Sequence, residues 1–194
     1  TFLIAGCGDD KPKESADKAV LAYAELYAYA DTDKLSATGM TKEQKEQISD
    51  ALRTETDDMF KSMMLTDDNA TAITDYYIAD RKANLELKAK VKKDDSKNPV
   101  VELTATPVDS KGASELMDKN EDLIAMGVYI GLAQQQGLDV RTDPVYQQGA
   151  MNSLRAMIDE IPYEAEKTLD VTCELVKSDD GKALYWAPKD PQRS

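Results

Sequence analysis

The side chains that most often do chemistry near neutral pH are scarce in this sequence. Histidine, a frequent acid–base catalyst and metal ligand, does not occur in its 194 residues, and the two cysteines are Cys7 and Cys173. Two cysteines alone cannot complete a four-ligand zinc site, and no histidine is present to activate a nucleophile. The sequence also has no phosphate-binding glycine loop and no Gly-x-Ser-x-Gly elbow. We therefore expect no catalytic residue, no metal site and no cofactor.

Cys7 has the clearest chemical role of the two cysteines. It ends an apolar run, directly follows the small residues Ala5 and Gly6, and precedes the polar run Gly-Asp-Asp-Lys-Pro. This pattern resembles the lipobox of a bacterial lipoprotein signal peptide, in which the cysteine thiol accepts a diacylglyceryl group. We predict that residues 1–6 are the remnant of a signal peptide whose charged region lay further upstream. Residues 7–14 are then a lipidated flexible tether.

Lipid at Cys7 would place the protein outside the cytoplasm, anchored to the cell membrane. No other segment approaches the ~20 apolar residues of a membrane span. The net charge of −13 leaves no general surface for neutralising phosphates, so a nucleic-acid partner is not expected. The predicted partners are the membrane, through the lipid, and an envelope protein or peptide.

The acidic residues allow two further interpretations. The segment from Asp31 begins like a calcium loop, but its twelfth position is Lys42, where calcium needs a bidentate glutamate. Calcium is therefore not predicted. Paired carboxylates such as Glu160 and Glu164 would suit a hydrolase, which is the alternative to a binding function. A transporter's solute-binding protein is disfavoured, because one domain of this length lacks the two lobes that close around a solute.

Tyrosine carries most of the aromatic surface, with nine tyrosines against two phenylalanines and one tryptophan. Tyr23 and Tyr27 lie one turn apart on a predicted helix, and Tyr76 and Tyr77 lie on another. Such side chains pack at the edge of a core with the hydroxyl on a partner, and they also line binding pockets. Core packing is the simpler interpretation, and these four tyrosines are the ligand-binding candidates. If a cavity remains beside the first helix, Tyr23 and Tyr27 should lie at its mouth.

Hydrophobic periodicity predicts five helices and four strands. The predicted helices cover about residues 15–30, 41–63, 66–82, 114–136 and 143–161, and the strands about residues 85–91, 101–106, 165–177 and 182–187. This order predicts an α+β fold in which helices pack on a curved antiparallel sheet made from two hairpins. We predict a single domain over residues 15–190 with one core. The apolar stripes of two helices would cover the sheet, and they are Val20, Tyr23 and Tyr27 on the first helix and Met151, Leu154 and Ile158 on the last.

The chain resembles a group of small bacterial lipoproteins from Firmicutes that carry a domain of unknown function. The resemblance rests on the lipobox at Cys7, on the helical N-terminal half and on the segment from Leu85 to Asp109, which ends in Val-Glu-Leu-Thr-Ala-Thr-Pro-Val-Asp. It implies a fold similar to cystatins or nuclear transport factors, and it brings no activity to particular residues.

These patterns favour a lipid-anchored cell-envelope protein without enzymatic activity. Its domain would bind a protein, a peptide or a small ligand, and the alternative is an envelope hydrolase.

Overall fold

The structure, a computed structural model, describes residues 11–189 of the chain. These residues form six α-helices, two 3₁₀ helices and four β-strands. The α-helices are α1 (Ala16–Tyr29), α2 (Lys42–Lys61), α3 (Asp67–Asn84), α4 (Ser110–Lys119), α5 (Glu121–Gln135) and α6 (Pro144–Asp159), the 3₁₀ helices are Leu35–Thr38 and Val140–Thr142, and the strands are β1 (Leu87–Lys93), β2 (Val100–Ala105), β3 (Lys167–Lys177) and β4 (Leu184–Pro188).

Side-chain caps fix the starts of three helices where the sequence predicted them. The Gln44 amide donates to Thr41 Oγ1, and the Thr41 amide donates back to Gln44 Oε1, which is a complete capping box at the start of α2. Thr66 caps α3 by accepting the Asn69 amide. Asp143 caps α6, whose first residue is proline.

The region after the second strand departs from the prediction of one helix over residues 114–136. It forms two helices, α4 and α5, separated at Asn120. Asn120 Oδ1 accepts the Leu123 amide at 3.0 Å, so the side chain starts a new helix where the backbone of the first one ends. Asp109 likewise starts α4 earlier than predicted, by accepting the Gly112 amide.

The four strands form one open antiparallel sheet in the order β1-β2-β3-β4. The first hairpin is β1 and β2, the second is β3 and β4, and the pairing of β2 with β3 joins them. In that central pairing Val101 lies opposite Val171, and Leu103 lies opposite Leu169. The predicted α+β class, with both hairpins in a single antiparallel sheet, is confirmed.

The two faces of the sheet differ in chemistry, as the alternation of apolar and polar residues predicts. The polar face carries ion pairs between strands, such as Lys90 of β1 with Glu102 of β2 at 2.6 Å and Lys92 of β1 with Asp170 of β3, two strands away, at 2.7 Å. Helix α1 lies on the apolar face and contacts β1, β2 and β4. The exposed ion pairs contribute little stability, so burial under α1 is the main support of this sheet.

The chain divides into two compact units. The sheet unit comprises residues 11–49, 86–105 and 166–189 of the described chain, and the helical unit comprises residues 50–85 and 106–165. Each unit has its own buried residues. The single domain that the sequence predicts for residues 15–190 stays a prediction.

The prediction of one core was wrong, because the described buried apolar residues form three clusters. In the sheet unit, Ala16, Ala19 and Val20 of α1 pack with Val101, Cys173 and Trp186, and a second cluster forms around Leu26 and Leu35. The third cluster lies in the helical unit. It contains the α6 stripe Met151, Leu154 and Ile158, which was expected to cover the sheet and packs instead with Phe60 and Ile73.

One buried polar side chain organises the helical unit. Gln147 of α6 accepts the Thr66 amide at 3.1 Å and the Asn69 side-chain amide at 2.8 Å. Its own amide donates to the carbonyls of Met64 and Val140. These bonds use the full hydrogen-bonding capacity of the side chain, so its burial leaves no unsatisfied polar atom.

The start of the described chain corrects the predicted tether over residues 7–14. Pro12 forms a bridge with Leu184 of β4, and the Lys13 amide donates to the Leu184 carbonyl at 2.9 Å. The chain is therefore attached to the sheet unit from Pro12 onward. Residues 7–10 lie outside the described residues.

Gly39 is predicted to be sensitive to substitution. Its φ of 71° lies in the left-handed region, and an added Cβ would overlap with the Tyr185 ring. Gly137 has the same φ with open space around it, so Gly137→Ala should cost only the left-handed penalty of about 1–2 kcal/mol. Gly39→Ala should cost about 1–3 kcal/mol more in urea unfolding, because the ring must move. Equal losses for the two variants would contradict the close approach of Tyr185.

Candidate functional site

A groove between α1 and the apolar face of the sheet is the candidate site. It has a volume of about 380 Å³ and lies within the sheet unit. Its lining residues are Val20, Tyr23, Ala24 and Tyr27 from α1, Leu103 from β2, Val171 from β3, and Ala187 and Pro188 from β4. The groove exists because α1 covers only part of the apolar face.

Helix periodicity explains how α1 both seals the sheet and leaves the groove. Ala16, Ala19 and Val20 are buried against the strands, and Leu26 is buried in the next cluster along the helix. Tyr27 is turned away from that buried side and is 61% exposed. The expectation that Tyr27 belongs to the buried stripe of α1 was therefore wrong.

Tyr23 and Tyr27 give an apolar groove two polar positions. Tyr23 is half-buried, and this burial raises the pKa of its hydroxyl. Among the described residues, neither hydroxyl has a hydrogen-bond partner. Both rings are therefore placed to contact an apolar ligand while their hydroxyls remain available for hydrogen bonds.

Tyr76 and Tyr77, the other two candidates, lie in the helical unit and have engaged hydroxyls. The Tyr76 hydroxyl donates to Asp159 Oδ1 at 2.6 Å, and that bond is the main reason why the Tyr76 pKa is raised. The Tyr77 hydroxyl accepts from Arg81 at 2.7 Å, and its ring meets Phe60 edge-on. Tyr76 is thus part of a surface contact, whereas Tyr77 lines a cavity of the helical unit.

Sequence reasoning missed a buried carboxylate at the end of α1. Glu25 is 6% exposed and forms an ion pair with Lys34. Burial, together with the nearby charge of Glu25, raises the pKa of Tyr29 to about 12. The signal in the sequence was a single acidic residue beside Leu26 on the apolar side of a helix. Glu25 is therefore part of an ion pair near the end of α1 and does not line the groove.

The acidic residues that were considered as hydrolase or calcium-binding residues lie at a helix end, in a loop and in a turn. Glu160 is exposed at the C-cap of α6, and the Glu164 amide donates to the Pro107 carbonyl. Asp31 Oδ1 accepts the Asp33 amide in a tight turn. No group of three or more metal-ligating side chains occurs in residues 11–189. The hydrolase alternative stays a prediction.

The two cysteines differ in what the structure describes. Cys7 lies outside the described residues. Cys173 is fully buried in one cluster with Val101 and Trp186, and burial raises the pKa of its thiol to about 11. Cys173 is therefore a core residue, as its place in an alternating strand predicted. None of the described helices is long and apolar enough to cross a membrane.

No protein-family model and no curated protein matches this chain. The expected family with a domain of unknown function therefore has no support from a family model. A solved structure is similar: the crystal structure of a protein named "putative lipoprotein (ycdA)" from Bacillus subtilis, a Firmicute, with a TM-score of 0.50 and 19% identity. The match covers 92% of this chain and 53% of that chain, so this chain spans about half the length of the solved one. Similarity at this identity shows a shared fold.

Neighbouring residues of α1 should differ sharply in their effect on stability. Leu26 is fully buried, so Leu26→Ala should lower the free energy of unfolding by about 2–5 kcal/mol. Tyr27 is mostly exposed, so Tyr27→Ala should lower it by less than about 1 kcal/mol. Urea unfolding of both variants checks this. A loss of several kcal/mol from Tyr27→Ala would mean that Tyr27 is a core residue.

Proposed function

We propose that this chain is a lipid-anchored cell-envelope protein whose sheet unit is a non-enzymatic binding module for an apolar segment of a protein or peptide. The observation that carries the proposal is the groove itself. Tyr27 lines it while remaining 61% exposed, and Tyr23 has a hydroxyl without a partner in the described chain. A residue needed only for the core would be covered.

The lipid anchor is supported by the sequence before the described residues. Ala5 and Gly6 precede Cys7, and the solved structure that shares this fold bears the name of a lipoprotein. Each methylene of a lipid chain buried in the bilayer contributes about 0.8 kcal/mol, so two or more chains hold a protein durably. The attachment point would then lie close to β4, because residues from Cys7 to Pro12 can span at most about 18 Å.

The groove suits an apolar peptide segment because the apolar surface continues beyond it. Leu169 follows the same face of β3 as Val171 and is 63% exposed. Opposite it in the β2–β3 pairing is Leu103, which lines the groove. A segment with alternating apolar side chains could contact the groove and this extension together, with the two tyrosine hydroxyls bonding its backbone. The net charge of −13 disfavours an acidic segment.

Lipid attachment at Cys7 is tested by metabolic labelling with an alkyne analogue of palmitate. The wild-type chain, produced in a bacterium behind the charged and apolar regions of a lipoprotein signal peptide, should be labelled and processed at Cys7. Cys7→Ala should lose the label and keep residues 1–6, while Cys173→Ala, the matched control, should be labelled normally. A labelled Cys7→Ala protein, or an unlabelled wild type that retains residues 1–6, would show that the assignment is wrong.

The groove is tested with a fluorescein-labelled, end-blocked hexapeptide that alternates leucine and serine. Fluorescence anisotropy should show saturable binding to the wild type and at least tenfold weaker binding to Tyr27→Ala, because the substitution removes an exposed ring from the groove. Val145→Ala alters an apolar residue that is 80% exposed outside the groove and should bind as the wild type does. Binding that Tyr27→Ala leaves unchanged, or no binding to the wild type, would refute the groove proposal.

A further inference from the structure

The helical unit contains a second cavity, which none of the observations above explains. Its volume is about 210 Å³, and its walls are predominantly apolar. Four methionines contribute to the lining: Met59 and Met63 from α2 and the turn after it, Met117 from α4 and Met157 from α6. Methionine side chains are flexible and polarizable, so walls made from them can adjust to the shape of a ligand.

Arg81 of α3 places a cationic group in the lining of this otherwise apolar cavity. Its guanidinium donates to the Tyr77 hydroxyl at 2.7 Å and lies 5.4 Å from the centre of the Tyr77 ring. Its Nε is buried and has no acceptor among the described residues. A buried donor without a partner is rare in folded proteins, and a bound acceptor would satisfy it.

The neighbouring polar groups leave that donor available. Tyr163 also lines the cavity, but its hydroxyl donates to Asp80 Oδ2 at 2.8 Å. Asp80 Oδ1 accepts from the Asn84 side chain. Asp80 is therefore engaged on both oxygens, and among the described residues it forms no ion pair with Arg81.

We propose that this cavity binds a short aliphatic carboxylate of about six to eight carbons, whose carboxylate pairs with the Arg81 guanidinium while its chain lies among the methionines. A guanidinium is the side chain best suited to a carboxylate. A water-sized group occupies about 30 Å³, so a volume of about 210 Å³ holds about seven methylene or methyl groups. An eight-carbon carboxylate has seven such groups beyond its carboxyl carbon. The site goes beyond the proposed function, because it lies in the helical unit and uses none of the groove residues.

A peptide is the weaker match for this cavity. A peptide brings a backbone donor and acceptor at every residue, and each would need a partner inside the walls. Among the described lining residues, the cationic group is the guanidinium of Arg81 beside methyl and thioether groups, which corresponds to a single head group with an apolar tail. The positive charge of Arg81 also selects the carboxylate over an amine, despite the acidic net charge of the whole chain.

The test is titration of the full chain with octanoate, observed through the ¹³C signal of a labelled carboxylate. Wild type should bind saturably, and Arg81→Met should weaken binding at least tenfold, because it keeps an apolar stem and removes the donor. Arg53→Met is the matched control, since Arg53 is an arginine of α2 outside the cavity lining. It should bind octanoate as the wild type does, and octylammonium should not bind to the wild type.

A second variant keeps the proposal testable if Arg81→Met fails to fold. Met117→Trp fills the cavity from a residue that is 49% exposed, so it should block octanoate while unfolding at a temperature near that of the wild type. Tyr27→Ala should retain full octanoate binding, which separates this site from the groove. Absent octanoate binding, equal binding of octylammonium, or binding unchanged in a folded Arg81→Met or Met117→Trp protein would overturn the proposal.

Discussion

The pairing of β2 with β3 is the constraint on which the sheet unit depends. Residues 106–166 separate these strands in the chain, so their ladder from Val100↔Thr172 to Ala105↔Lys167 joins segments that are remote in sequence. Each hairpin alone would be marginal in water, whereas together they offer one apolar face wide enough to cover. Closing such a loop costs conformational entropy, and burial of Val101 and Cys173 under α1 offsets that cost.

The same pairing determines the candidate groove. Because side chains alternate along a strand, a shift of one residue between β2 and β3 would turn Val171 away from α1 and bring its polar neighbours beneath the helix. The observed register places Leu103 and Val171 on the α1 side, and the β3–β4 ladder adds Pro188 opposite Cys173. The groove is thus assembled from the helix and three strands, and its shape depends on both ladders.

The elements could be predicted largely because their signals are local. The Thr41 capping box, the Asp143–Pro144 helix start and the alternation around Val101 each act within a few residues.

Periodicity tells which residues share a face, but it does not tell which neighbour covers that face. The α6 stripe illustrates this, since Leu154 is buried as expected but in the helical unit. The prediction that Tyr27 is buried was wrong for the same reason, because its exposure depends on where α1 meets the strands. The Tyr185 ring leaves no room for a Cβ at position 39, which no local pattern reveals.

Buried polar groups distinguish the scaffold of the helical unit from its candidate site. Gln147 lies at the meeting point of three segments and has every donor and acceptor used, so it holds them in one arrangement. Arg81 is the opposite case, because its Nε remains without a described acceptor beside a cavity that methionines line. Thr74 Oγ1 is also buried without a described partner, but Thr74 does not line that cavity. An unmet donor indicates binding where its residue also lines a cavity, and of these two residues only Arg81 does so.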